Sequence, residues 1–194
     1  IARKNFDIFF MAMKQITESQ QIDIIGDGPM LSELKNLSED LSQHKVTFHG
    51  WLKNGSAAWK SLYQKRRFFI MPSERESFGV VLLEAQSAEM IVVANKIPVF
   101  EEILGPNAIF LDEVSERSMA CALKKLLEID ELELEQLAQQ GNKRALSSYS
   151  WSVIASEYER IFFELVGSNE ETFYLDSQSH FQQNMYAGFG RHSI

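Results

Sequence analysis

The sequence predicts an α/β domain: one parallel sheet with helices packed on both of its faces. Short apolar runs alternate with stretches of helical periodicity as far as about residue 166, the pattern of linked βαβ units. Ile91-Val92-Val93-Ala94 is apolar at every position, as a strand buried on both faces requires. The turn Gly26-Asp27-Gly28-Pro29 and the residue Gly50 each follow a short apolar run, where a strand should end. Together these features describe a Rossmann-like architecture.

Each element follows from its spacing. Phe6, Phe9, Phe10, Met13 and Ile16 recur at helical intervals, predicting an amphipathic helix over about 5–18. Ile22-Asp23-Ile24-Ile25 reads as a short buried strand. Leu31, Leu34, Leu37 and Leu41 give the next helix, with Pro29 near its first turn. Val46-Thr47-Phe48 is a strand, and Ala57, Ala58, Leu62 and Tyr63 mark a helix. Phe68-Phe69-Ile70-Met71 is a strand running into Pro72-Ser73, with a helix expected from about Ser77 to Ala88. After Ile91–Ala94 come a short helix around Phe100–Leu104 and the strand Ala108-Ile109-Phe110-Leu111. Helices near 115–128, 131–146 and 151–166 close the pattern, making 1–166 one expected domain. The chain opens on a helix with no strand before it, so its first βα unit reads as cut between strand and helix. Residues 167–194 lose the periodicity and are expected to form a tail.

Composition narrows the function classes. Hydrophobic residues make up 45% and charged residues 24% of the 194, ordinary for a soluble globular domain. A net charge of −8 argues against a nucleic-acid partner, whose phosphates call for a basic face. It argues equally against docking of this segment on anionic lipid. Cys121 is the single cysteine, so no internal disulfide is available, as suits a reducing compartment. No apolar run reaches spanning length, and a cytoplasmic location without a direct membrane anchor is expected.

In open parallel sheets, ligands bind beyond the carboxyl ends of the strands. The loop richest in polar groups at such a position is Pro72-Ser73-Glu74-Arg75-Glu76-Ser77-Phe78-Gly79-Val80. Ser77 is placed to cap the following helix, and Gly79 leaves room for a ligand to approach the first-turn N–H groups. Those groups, with the positive end of the helix dipole, suit a phosphate. The plain alternative is a structural cap, since Ser and Gly are common there. Glu84 follows Val80-Val81-Leu82-Leu83 in the same helix; a buried carboxylate needs hydrogen-bonding partners, whereas one on the helix's wet stripe would need none. Glu76 and Glu84 together have the acceptor capacity to hold sugar or ribose hydroxyls.

The stretch from Pro72 to Ala85 resembles the Glu-x7-Glu motif of family 4 retaining glycosyltransferases, which have the GT-B fold. Other segments agree in order: Lys4-Asn5-Phe6-Asp7 is similar to the family's Lys-Gly stretch, and Ile24-Ile25-Gly26-Asp27-Gly28-Pro29 to its Gly-x-Gly-Pro turn. Val46-Thr47-Phe48-His49-Gly50 resembles its Val-x-Phe-x-Gly strand, and Ser150-Trp151 through Tyr158 its closing helix. The resemblance covers about 4–166 and implies one half of a GT-B fold, the donor-binding half. The implied substrate is a nucleoside-diphosphate sugar. Glu84 matches the position that binds ribose hydroxyls, and Glu76 the one that contacts the transferred sugar. Ser77, Phe78, Gly79 and Val80 would face the diphosphate, Lys4 would neutralise its growing charge, and Trp51 and Leu52 would lie near the base. The implied partner is an N-terminal GT-B domain carrying the acceptor site, through which peripheral membrane contact would come. The chain departs from the family at Glu89-Met90, where a Gly and a small residue or Pro are usual.

No Asp-x-Asp pair and no histidine cluster offers a divalent-ion site, so a metal-free mechanism without a cofactor is expected. His44, His49, His180 and His192 are scattered and read as structural or solvated. The competing reading is a non-catalytic accessory half that stabilises a partner enzyme, although such a domain would have no need of Lys4, Glu76 and Glu84 together. Another GT-B enzyme, an epimerase or phosphorylase, is a third reading. A dinucleotide-binding domain is disfavoured, because Gly26-Asp27-Gly28 lacks the third glycine of the fingerprint.

Overall fold

The computed structural model describes residues 4–166. Strands and helices alternate as expected. The helix α1 spans Phe6–Met13 and the strand β1 Gln21–Ile25, followed by α2 Leu31–Glu39, β2 Lys45–Gly50 and α3 Ala57–Lys65. Then come β3 Phe68–Met71, α4 Val80–Ser87, β4 Ile91–Asn95, α5 Pro98–Leu104, β5 Ile109–Leu111, α6 Glu116–Glu128 and α7 Glu131–Tyr149. Residues to Trp151 form one compact unit, and the helix α8, Trp151–Val166, runs into a second that begins at Ser152. Within α8, Arg160 pairs with Glu157 and Glu164. The tail expected at 167–194 lies outside the described residues. Among the described residues, no helix is long and apolar enough to cross a membrane.

All strand pairings are parallel, in two ladders. Ile22 is level with Val46 in the pair β1–β2, and a bulge at Ile24/Ile25 brings Ile25 opposite Gly50. The order β3–β4–β5 forms the other ladder, with Ile70 level with Val93 and Ala94 with Phe110. The sequence predicted one sheet; the structure has two, because β1 and β3 do not pair.

Alternation along the strands divides the core. Ile22 and Ile24 of β1, Phe68 and Ile70 of β3, and Ile91 and Val93 of β4 face a cluster built with Phe9, Phe10 and Met13 of α1 and Met119 and Leu123 of α6. Phe69, Met71, Val92 and Ala94 face the opposite cluster, with Trp59 of α3, Leu82 of α4 and Phe100 of α5. This two-sided burial explains why β4 is apolar from Ile91 to Ala94.

Two elements depart from expectation. Instead of reaching residue 18, α1 ends at Met13 and tightens into turns in which Gln15 and Ile16 N–H donate to the Ala12 and Met13 carbonyls. These turns keep Ile16 in the core at 1% exposure. Side chains from beyond α2 satisfy the freed carbonyls: Gln43 Nε2 donates to Ile16 O at 3.0 Å, and His44 Nε2 lies 3.0 Å from Met13 O. The helix α4 begins at Val80 instead of Ser77, for a reason that belongs to the site.

The polar residue within β1 is accounted for. Asp23 lies 2.6 Å from His49 Nε2 of β2 and receives Arg66 Nε from the end of α3. Burial pushes its carboxyl up, but the hydrogen bonds and charges of Arg66 and His49 outweigh burial and hold it below the usual carboxylate range.

Candidate functional site: the loops after β2 and β3

The site residues gather where the strands end. Pro72 and Ser73, both buried, carry the chain out of β3. Their carbonyls are held from two directions: Asn95, ending β4, donates to Pro72 O at 2.7 Å and Ser73 O at 2.9 Å, and Asn5 donates to Pro72 O at 2.9 Å. Asn5 is 1% and Asn95 2% exposed, so these bonds form away from water, where an unpaired carbonyl would cost about 1–3 kcal/mol. Asn5 adopts the left-handed conformation (φ 51°) as the residue before α1. Among side chains other than glycine, asparagine tolerates that region best. Its backbone turns the chain into α1, and its side chain fastens that turn to the loop.

The fastening sets the neighbouring charges. Lys4 Nζ pairs with Glu76 Oε1, the lysine half-exposed and the glutamate 16% exposed. Two sequence-predicted residues, 72 positions apart, are thereby brought together.

Gly79, not Ser77, is the residue that precedes α4, and no side chain caps the helix. The expectation that Ser77 caps it is corrected here; Ser77 is exposed in the loop. Gly79 has φ 94°, and a Cβ built on it would lie 3.0 Å from Phe100 Cε1 and 3.2 Å from Leu82 Cδ1. Only glycine meets both constraints. The result is a helix start without a side-chain cap, whose first N–H groups lack partners within the helix. Val80 is 58% and Val81 37% exposed there. Phe78, 41% exposed, packs edge-on against Tyr149 with ring centroids 6.2 Å apart.

Glu84 is half-buried and accepts from Asn54 Nδ2 at 2.5 Å. Burial raises its pKa above the usual glutamate value, and the Asn54 bond offsets only part of that rise. Its charge in turn helps burial push the Tyr63 hydroxyl upward. The carboxylate therefore has a partner, as its burial requires. Asn54 belongs to the loop after β2, so loops from two strands meet at Glu84. In the same loop Leu52 is half-buried against Trp59 and its neighbours, whereas Trp51 is 72% exposed.

Sequence reasoning missed Asn5, Asn54 and Asn95. Asn95 carried a signal, since it ends an all-apolar strand, where a polar side chain must find partners. Asn54 carried none. Among the described residues, no group of three His, Cys, Asp or Glu comes together to hold a metal ion. Glu89, in the departure noted from the sequence, takes the left-handed conformation (φ 58°), one in which glycine would be free of strain.

A family model described as glycosyl transferases group 1 matches residues 1–144. The chain belongs to that family. Relatives of this group 1 glycosyltransferase chain include an uncharacterised glycosyltransferase of Methanocaldococcus jannaschii, 30% identical over 82% of this chain and 42% of its own length. The phosphatidyl-myo-inositol mannosyltransferase of Mycolicibacterium smegmatis is 27% identical over 86% of this chain and 43% of that protein. Among solved structures, sucrose-phosphate synthase from Thermosynechococcus elongatus superposes with a TM-score of 0.71 at 21% identity, over 84% of this chain and 43% of that one. Anabaena HepE, solved with UDP and glucose, gives 0.70 at 19% identity, over 83% and 45%. The fold is that of the GT-B glycosyltransferases. The chain spans less than half the length of these relatives.

Proposed function

We propose that this chain is the donor-binding half of a retaining glycosyltransferase, taking a nucleoside-diphosphate sugar and passing its sugar to an acceptor held by another domain. The observation that carries the reading is the Lys4–Glu76 pair, set at the carboxyl ends of the strands beside the uncapped start of α4. A carboxylate alone there would repel a diphosphate. Lys4 lies on Glu76, offsets its charge and leaves ammonium protons free for a second acceptor.

In this reading the diphosphate rests on the first-turn N–H groups of α4, where the helix dipole favours anions. Gly79, without a Cβ, allows close approach, and Ser77, Phe78 and Val80 flank the phosphates. Glu84 accepts from ribose hydroxyls, with Asn54 orienting the carboxylate. Glu76 accepts from the hydroxyls of the transferred sugar, and Trp51 and Leu52 flank the base. As the bond between the anomeric carbon and the diphosphate oxygen breaks, negative charge builds on the diphosphate. Lys4 and the α4 amides oppose it from fixed positions, the form of electrostatic help that contributes most to such reactions. No metal ion is required for that role. The departing bond leaves an oxocarbenium-like sugar, attacked by the acceptor on the same face.

Calorimetric titration with UDP, GDP and ADP, each with and without Mg²⁺, tests the reading. One nucleotide should bind equally well in both conditions, and Glu84→Ala should weaken it at least about tenfold, the size of losing a charged hydrogen bond of 1.5–3 kcal/mol. If the folded chain binds none of the three, the accessory reading replaces this one.

A further inference from the structure

The turn Phe78–Gly79 aims the first N–H groups of α4, and no side-chain cap fixes it. Two neighbouring helices hold it instead. Gly79 lies on α5, where a Cβ built on it would be 3.0 Å from Phe100 Cε1 and 3.6 Å from Ile103 Cδ1. Phe78 lies on α7: its ring meets that of Tyr149, the last residue of the helix, with the two planes at 70°. Edge-to-face is the arrangement that the ring quadrupoles favour, so the contact fixes an angle as well as a distance.

Tyr149 is itself held from a second side. Its ring packs at the border of the core cluster that contains Phe100 and Ile103, and its hydroxyl donates to the Glu102 carbonyl of α5 at 3.3 Å. In a continuing helix that carbonyl would accept from residue 106, but Pro106 has no N–H. The Ile103 carbonyl is left over as well, because Asn107 N–H turns to Leu104 O. Arg144 of α7 reaches both, donating from Nη2 to Glu102 O at 2.6 Å and from Nε to Ile103 O at 3.0 Å. Gly105 admits the guanidinium, since a Cβ on it would lie 3.0 Å from Arg144 Cζ. The Glu102 carbonyl therefore has a donor without Tyr149, and the tyrosine bond takes its second lone pair. What that bond adds is the orientation of the ring.

We propose that Tyr149, through its edge-on contact with Phe78, sets the turn into α4 and with it the aim of the first α4 amides. It is a positioning residue, acting through Phe78 and not by contact with a ligand. The ring bears on the turn, and the hydroxyl keeps the ring in place. That Tyr149 fixes the turn follows from these contacts; that the turn faces a diphosphate rests on the function proposed above.

The test compares the whole chain with its Tyr149→Phe and Tyr149→Ala variants, with Tyr149→Leu replacing the alanine variant if that one does not fold. Leu82 N–H donates to the Gly79 carbonyl at 2.9 Å, so its hydrogen exchange reports the turn without any ligand, and Val92 and Val93 of β4 report global opening. Calorimetry then compares UDP with UMP, GDP with GMP and ADP with AMP. Loss of the ring should speed Leu82 exchange relative to β4 by about threefold or more, the scale of one aromatic pair. It should reduce the preference for diphosphate over monophosphate by a similar factor, and Tyr149→Phe should restore most of both. The proposal is overturned if Leu82 exchange moves only with β4, or if the phenylalanine variant is no better than the alanine one. It is overturned equally if mono- and diphosphate weaken alike, the mark of a general loss of structure. If the parent chain binds no nucleotide while Leu82 still loosens on loss of the ring and recovers with phenylalanine, the proposed function falls and the positioning of the turn stands.

Discussion

Glu84 shows how a single side chain serves two opposed requirements. Its burial raises the pKa, so the ionised form is less stable folded than unfolded. A group with a raised folded pKa contributes stability below its unfolded pKa and loses it as the pH rises through the folded value. At neutral pH the burial of Glu84 is therefore a net cost to the free protein, and the proposed function gives that carboxylate ribose hydroxyls to accept from. Glu84→Gln keeps an oxygen for Asn54 Nδ2 and removes the charge. We expect a higher urea midpoint at pH 7, a difference that closes below about pH 4, and weaker nucleotide binding; a variant no more stable at pH 7 would contradict this account. Glu76, Gly79 and Glu84 could be singled out from the sequence because they fall in one loop and helix start beyond a strand, whereas Lys4 was singled out only by the family resemblance. Asn5 and Asn54 were not, since a polar residue in a loop gives no sign of which distant carbonyl or carboxylate it will meet.

Among the elements, α4 carries the most consequence per residue. Its N-terminus is shaped by what cannot fit: a side chain at position 79 would face Phe100 and adopt a positive φ. Gly79→Ala should cost about 2 kcal/mol through backbone strain, and more if Phe100 cannot shift. Urea denaturation would measure the loss, with Gly28→Ala as the comparison, because a Cβ on Gly28 would meet nothing within 4 Å. Equal effects at the two glycines would refute the steric argument. The sequence located the strands well, because short apolar runs closed by turns have few alternatives. Helix ends were harder to read. Ser77 is an ordinary capping residue, yet the chain delays α4 by a few residues to use a glycine. Ile16 has helical spacing, yet it reaches the core from a tighter turn. In both cases tertiary packing overrode a sound local preference.

For the molecule as a whole, the division of the sheet sets where stability resides. Ile91, Val92, Val93 and Ala94 are each at most 1% exposed, and β4 is paired on both sides. The pair β1–β2 has one ladder and an open edge. Hydrogen exchange should find the slowest amides in β4 and a shallower limit in β1, separated by about tenfold or more if the two halves open independently. Uniform exchange across both ladders would show a single cooperative unit instead. The alternation of elements, and hence the α/β class, was plain from the sequence. Which strands lie side by side was not, because adjacency depends on which edges meet in space and leaves no mark on the periodicity of either strand.

The paired bonds from Asn5 and Asn95 to Pro72 also bear on rates. Lys4 adjoins one asparagine and Glu76 follows the carbonyl that both asparagines hold, so cation, anion and loop are fastened to one point before a ligand arrives. A site already in its working arrangement loses little freedom on capture. If the site takes the nucleotide proposed above, association is governed by how often ligand meets the site, and discrimination among nucleotides falls to how quickly each one leaves.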